Sequence, residues 1–266
     1  MADVHESTVI VSLDQSVCNK LNDYWSDNVT CLVLPPSNVD DNSASYLNSS
    51  HNKHDDKSLL SVSKLRGGYK LTWGQKAYVD FLTLRAAILR FLVVEHEFTV
   101  LLFETDAVWL RNPIDYFAGF SPFADLVTPV KGYEDHTLTL SFDPLLLRPT
   151  DACKEFLVEL VDRLVKDRNL FDQDVLDVLC KSQHSGVHCD SFPWDDVADG
   201  LWYKLRPDEQ KKLRPFVINN NFISGIDNKV TRQALNGHWF VSVAKERHCD
   251  ERRLHMFMAQ QQRSLE

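Results

Sequence analysis

The sequence predicts an α/β fold, a mainly parallel, Rossmann-like sheet flanked by helices. Two observations carry this. Short two-sided apolar runs rich in β-branched residues occur at Thr8-Val-Ile-Val-Ser-Leu13, Thr30–Leu34 and Thr99-Val-Leu-Leu-Phe103, the pattern of strands buried on both faces. Helical stretches separate them, and helix followed by strand, twice over, implies right-handed β-α-β units.

In order, a strand over Thr8–Leu13 leads into a helix over Ser16–Tyr24 and a strand over Thr30–Leu34, stopped by Pro35-Pro36. Residues 37–63 are rich in Asn, Asp, Ser and His and read as a surface loop. Trp73–Val94 is a long helix, apolar round most of its circumference and expected to pack on more than one side. Leu138–Arg148 reads as a strand. Pro149-Thr150 then opens a helix striped by Phe156, Leu157, Leu160, Val161, Leu164 and Val165. Asp172–Lys181 is a short helix with Asp172 as its N-cap. Neither a repeat nor a linker divides the chain, so a single domain over 1–266 is expected.

Composition narrows the function. The 266 residues carry 29 Lys+Arg against 38 Asp+Glu, a net charge of −9, with 44 % hydrophobic residues. That is the make-up of a folded chain with a sizeable core, not of a disordered one. The acidic balance argues against a nucleic-acid partner, which needs a basic footprint. Leu71–Val94 falls short of a membrane span because Lys76, Asp80, Arg85 and Arg90 interrupt it. The opening MADVHEST is polar, without a signal-peptide pattern. Asn28-Val-Thr and Asn48-Ser-Ser are acceptors for N-glycosylation. The six cysteines form no CxxC pair. Cys180-x₃-His184-x₃-His188-Cys189 has a spacing compatible with zinc, although a polar loop with a disulfide at Cys189 is the preferred reading. No G-x-S-x-G elbow supports a serine hydrolase.

The most informative segment is Leu101-Leu-Phe-Glu-Thr-Asp-Ala-Val-Trp-Leu-Arg-Asn-Pro113. Glu104 and Asp106 emerge from the carboxyl end of an apolar strand, where ligands of open α/β sheets bind. Residues i and i+2 of extended backbone point the same way, so both carboxylates face one site. Hard oxygen ligands of this kind suit Mn²⁺ or Mg²⁺ bridging a diphosphate. A solvated acidic turn is the commoner meaning of a bare acid-x-acid pair; the flanking residues change the odds.

Acid-x-acid followed by Val-Trp-Leu-Arg-Asn-Pro resembles the signature of the nucleotide-diphospho-sugar transferase family, the DxD glycosyltransferases that include rhamnogalacturonan xylosyltransferases. Leu71-Thr-Trp-Gly-Gln-Lys76, Leu147-Arg-Pro-Thr150, Phe171-Asp-Gln-Asp-Val-Leu-Asp177, and Val217–Phe240 with its Asn-Asn-Phe-Ile-Ser-Gly225 and Lys229 are similar to further family segments in the same order. The resemblance implies a glycosyltransferase A-type fold and transfer of a hexosyl or pentosyl group from a nucleotide-diphosphate donor, UDP-sugar foremost, to a glycan or glycoprotein acceptor. It implies Mn²⁺ or Mg²⁺ as cofactor, held by Asp106 and Glu104. Asp172 and Gln173 are the catalytic candidates, on the transferred sugar. Lys229 is placed on the departing phosphate, with Gly225 allowing close backbone approach. Trp109 and Trp239 read as packing residues. A Golgi-lumen location follows, with membrane contact only through an anchor upstream of this chain, as in a type II membrane protein.

Three features depart from the family pattern. Glu104 replaces the first Asp of the motif, and Asn219 stands where the family has His before its paired Asn. Asp143-Pro144 replaces a segment containing a flexible Gly. The chain is also expected to begin at the family's second strand. These departures support an alternative function, a non-catalytic relative serving in binding or assembly.

Overall fold

The structure, a computed structural model, describes residues 8–12, 14–25, 30–33, 74–131, 139–242 and 249–263. The expected loop at 37–63 and both glycosylation acceptors, Asn28 and Asn48, lie outside these residues. Up to the middle of the chain the elements are β1 (Val9–Ser12), α1 (Gln15–Trp25), β2 (Thr30–Val33), α2 (Lys76–Arg90), β3 (Val100–Leu102), β4 (Val108–Trp109) and α3 (Ile114–Gly119). There follow β5 (Leu126–Pro129), β6 (Leu145–Leu147), α4 (Asp151–Lys166), α5 (Asp172–Lys181), β7 (Cys189–Phe192) and β8 (Val197–Ala198). The last are α6 (Pro207–Lys212), β9 (Val217–Ile218), α7 (Ile226–Leu235) and α8 (Glu251–Arg263). Contacts divide the chain into two compact units, Met1–Val100 with Arg148–His188, and Leu101–Leu147 with Cys189–Glu266.

In the first unit β1, α1 and β2 form the expected β-α-β unit, with the strands parallel from Val9↔Thr30 to Ser12↔Val33. Burial differs from expectation. Val9 and Val11 are 53 % and 42 % exposed, and burial alternates along both strands. The sheet here has two strands, so the one helix between them covers one face only. A disulfide joins Cys18, on α1, to Cys31, on β2; closing a loop of this size stabilises by about 3 kcal/mol on the chain-entropy account.

Helix α4 forms where the stripe places it. The Thr150 hydroxyl caps it by accepting from Cys153 N–H at 3.2 Å, and Phe156, Leu157, Leu160, Val161 and Leu164 are buried. Full burial of each such side chain contributes roughly 1.5–3 kcal/mol. Helix α2 buries Val79, Leu82, Thr83, Ala86 and Leu89 along one stripe and then widens into a π-helical turn over Phe91–Glu95, so the single helix expected to run to Val94 changes pitch at Phe91. The N-cap of α5 is Phe171 rather than Asp172, which is the first helical residue. The Asp172 carboxylate, 2 % exposed, accepts from Arg85 Nε at 3.0 Å and Nη2 at 2.7 Å, and from Gln173 N–H at 2.8 Å. It ties α5 to α2, 87 residues earlier.

The second unit holds a four-stranded sheet, ordered β3-β6-β5-β7, and a three-stranded one, ordered β4-β9-β8. Both are mixed, where a mainly parallel sheet was expected. β5 runs antiparallel to β6 and parallel to β7; β9 runs antiparallel to β4 and parallel to β8. In the four-stranded sheet the cause lies between β5 and β6. Lys131 N–H bonds to Thr139 O at 2.7 Å and Ser141 N–H to Pro129 O at 2.8 Å, so β6 returns antiparallel to β5, whereas a parallel return needs a crossover of about a dozen residues or more. Pro144, which has no N–H for a ladder, confines the strand expected over Leu138–Arg148 to Leu145–Leu147. Between the sheets Phe117, Ala124, Val127, Leu146, Phe192, Val197 and Val217 form a core. Trp109 packs against it, edge-on to Phe117 at 5.9 Å and to Phe103 at 4.9 Å, as the packing role requires.

The Arg85–Asp172 pair gives a stability test. Removing one partner of a buried pair strands the other charge, at a cost of about 3–5 kcal/mol, while replacing both with apolar groups is close to neutral. In urea denaturation Arg85→Met is therefore expected to lose about 3 kcal/mol or more, and Arg85→Met/Asp172→Leu to recover most of it. A single-variant loss below about 1 kcal/mol, as for an exposed pair, contradicts this.

Candidate functional site

Glu104 and Asp106 lie on a tight turn that leaves β3, closed by Ala107 N–H bonding to Glu104 O at 3.1 Å. Three side chains of the same unit hold this turn. Asp143 Oδ1 accepts from Glu104 N–H at 2.7 Å. Gln233, the one buried residue of α7, donates Nε2 to Asp106 O at 2.8 Å. The Lys229 ammonium, also on α7, pairs with Asp106 Oδ2. The other carboxylate oxygen, Oδ1, is buried and has no hydrogen-bond partner among the described residues.

A second layer fixes the residues that hold the turn. Asn219, at the end of β9, donates Nδ2 to the Asp143 carboxylate and its backbone N–H to Ala198 O at 2.8 Å. Its Oδ1 is likewise buried without a hydrogen-bond partner among the described residues. The fully buried Asn220 accepts from Arg232 Nε at 2.8 Å and donates to Lys229 O at 3.3 Å. Arg232 also donates to Asn221 O at 2.6 Å and Gly200 O at 3.3 Å, and its guanidinium lies 4.8 Å from the Tyr203 ring centre. Burial pulls its pKa below the ordinary arginine value against the charges of Tyr203, Asp106 and Asp199; arginine stays charged regardless. Gly200 is required by space, since a Cβ there would sit 2.0 Å from Asn221 O.

Four of the residues singled out in the sequence, Glu104, Asp106, Gly225 and Lys229, thus belong to one constellation of the second unit. Lys229 meets Asp106 directly. Gly225 caps α7 at φ +90°, and the nearest atom to an added Cβ is Asn228 Nδ2 at 3.6 Å. The positive φ is a backbone conformation that favours glycine. Asp172 and Gln173 belong to the first unit, where Asp172 is committed to Arg85. Sequence reasoning missed Gln233, Arg232 and Gly200. Only Gly200 left a signal, a lone glycine amid Asp199, Leu201 and Trp202, which marks close backbone approach.

The donor set fits a divalent ion carried on a substrate. Among the described residues no three His, Cys, Asp or Glu side chains gather into a metal site, but Mg²⁺-type ions on phosphates need only one or two protein carboxylates. The buried, unpartnered Asp106 Oδ1 offers a hard oxygen. Zinc at Cys180 and Cys189 does not fit, because both cysteines are disulfide-bonded.

A family model described as nucleotide-diphospho-sugar transferase matches residues 63–233, more than half of the chain. No curated protein and no solved structure matches it.

His238, 7 % exposed, stacks on Trp202 at 5.7 Å and shares a hydrogen bond with Tyr203 through Nδ1 at 3.1 Å. Burial depresses its pKa to about 4 from 6.5. The native state thus holds it neutral while the unfolded state binds a proton below about pH 6.5, so its contribution is complete above that pH and is lost as pH falls toward 4. Denaturation of wild type minus His238→Phe should show wild type losing about 2 kcal/mol more between pH 7 and pH 5. Equal losses contradict a neutral buried imidazole.

Proposed function

The chain belongs to the nucleotide-diphospho-sugar transferase family, and from that membership we propose that it transfers a sugar from a nucleotide-diphosphate donor, a UDP-sugar, to a glycan or glycoprotein acceptor. The observation that carries the proposal is the joining of Glu104-x-Asp106 to Lys229 at the start of α7. One carboxylate pair and one ammonium provide, at a single place, what a diphosphate needs on an acidic protein. When bound there by Asp106 and Glu104, Mn²⁺ or Mg²⁺ supplies Lewis-acid charge for the leaving diphosphate. The protein's own residues orient. Asp143 and Gln233 fix the turn through its backbone, and Asn220 and Arg232 fix the helix that carries Lys229. The sugar-contact role of Asp172 and Gln173 is a separate proposal on the first unit alone; there Asp172 orders Gln173 through its N–H. A glycosyltransferase A-type arrangement and the Golgi lumen belong to the same reading. The lumen is supported by the two glycosylation acceptors and by the Cys18–Cys31 disulfide, which suits an oxidising compartment.

One observation favours a second reading, a non-catalytic relative. Glu104, Asp143 and Asn219, three of the residues that depart from the family pattern, are hydrogen-bonded to one another through Asp143. This network holds the acidic turn without any ligand.

Nucleotide binding separates the two. UDP is expected to raise the melting temperature only with Mn²⁺ or Mg²⁺ present; ligand at about 100 times its Kd stabilises by roughly 2.7 kcal/mol. Asp106→Ala should abolish the shift and Glu104→Asp should preserve it. A shift that needs no metal, or that survives Asp106→Ala, contradicts the assigned site, and no shift with any nucleoside diphosphate favours the non-catalytic reading.

A further inference from the structure

The Lys229–Asp106 pair sets two ligand-binding groups of one site against each other. Their side chains are 29 % and 25 % exposed, so the pair is only partly open to water. The backbone is held on both sides. Gln233 grips Asp106 O, Asn220 grips Lys229 O, and Lys229 N–H closes the first turn of α7 on Gly225 O at 3.1 Å. The group free to move is the ammonium, a point charge on a flexible four-carbon stem. On the carboxylate, Oδ2 is committed to Lys229 while Oδ1 is buried with no hydrogen-bond partner among the described residues.

We infer that Lys229 is an exchangeable counter-ion, which guards the Asp106 carboxylate against a divalent cation until a diphosphate arrives, so that cation and diphosphate bind together. The inference rests on the donor-site reading above. A cation alone must displace the ammonium or sit beside it, and the displaced ammonium gains no partner in return. A diphosphate alone draws the ammonium away and leaves Asp106 a bare carboxylate facing phosphate. When both bind, the cation takes Asp106 and the ammonium moves to a phosphate oxygen, so every charge keeps an opposite neighbour. Such coupling is reciprocal, and typically 5- to 150-fold.

Titration calorimetry of the full chain with Mn²⁺ alone, UDP alone and both together tests this. In wild type each ligand is expected to tighten the other by at least about tenfold. Lys229→Gln should bind Mn²⁺ alone about tenfold tighter than wild type, yet bind UDP in saturating Mn²⁺ about tenfold weaker. Opposite signs from one substitution are not produced by a merely structural loss. Lys229→Arg should keep the coupling, and Lys229→Met replaces Lys229→Gln if the latter fails to melt cooperatively. Mn²⁺ affinity in Lys229→Gln equal to or weaker than wild type overturns the counter-ion role. Wild type that binds no UDP with Mn²⁺ overturns the donor reading, and with it the diphosphate half of the inference; the Mn²⁺ titrations decide the other half.

Discussion

A carboxylate that is three-quarters shielded from water, on a protein of net charge −9, has to be neutralised locally. Lys229 does this for Asp106, and much of the second unit serves to bring the two together across 123 residues of chain. Helix α7 delivers the lysine. Arg232, on the same helix, reaches Asn220, Asn221 and Gly200, which docks the helix on the end of β9 and the turn at Gly200. That approach is close enough to exclude any side chain at position 200. Gly225 starts the helix in a conformation closed to other residues. Without these supports the ammonium and the carboxylate would each be left to solvent or to the wrong partner.

The departures from the family pattern form one unit of chemistry. Asp143 is 5 % exposed, and a buried carboxylate needs donors. It takes the Glu104 N–H and the Asn219 amide. An asparagine donates through Nδ2, where a ring nitrogen offered to a metal would not. The Asp143–Asn219 pair is therefore an alternative way to pin the acidic turn. Pinning alone serves either a donor site or a binding module; the Asp106 oxygen left without a hydrogen-bond partner among the described residues, and the flexible ammonium of Lys229, favour the donor site.

Much of the local structure was legible in the sequence because it depends on neighbours three or four residues apart. The stripe of α4 and the Thr150 cap are examples, as is the β-α-β start. The sheet was less legible. Apolar runs reveal strands but not direction: β6 returns antiparallel to β5 in one sheet, and β4 lies antiparallel to β9 in the other, where parallel strands were expected. The acidic pair was found from its place after a strand and from its flanking residues. Its partners were not found by spacing, because Gln233 and Asp143 act through tertiary hydrogen bonds that leave no periodicity. Lys229 was identified from the resemblance, but its contact with Asp106 is visible only in the fold. Asp172 shows the same limit. Its helix was predicted, while its bond to Arg85 was not.

The central claim is that one ammonium and one divalent cation alternate on the Asp106 carboxylate. A crystal structure of the protein with Mn²⁺ and UDP tests it most directly. The account predicts the cation against Asp106 and Lys229 Nζ within hydrogen-bond distance of a phosphate oxygen. Nucleotide bound with Lys229 still paired to Asp106, or cation bound away from that carboxylate, would contradict it.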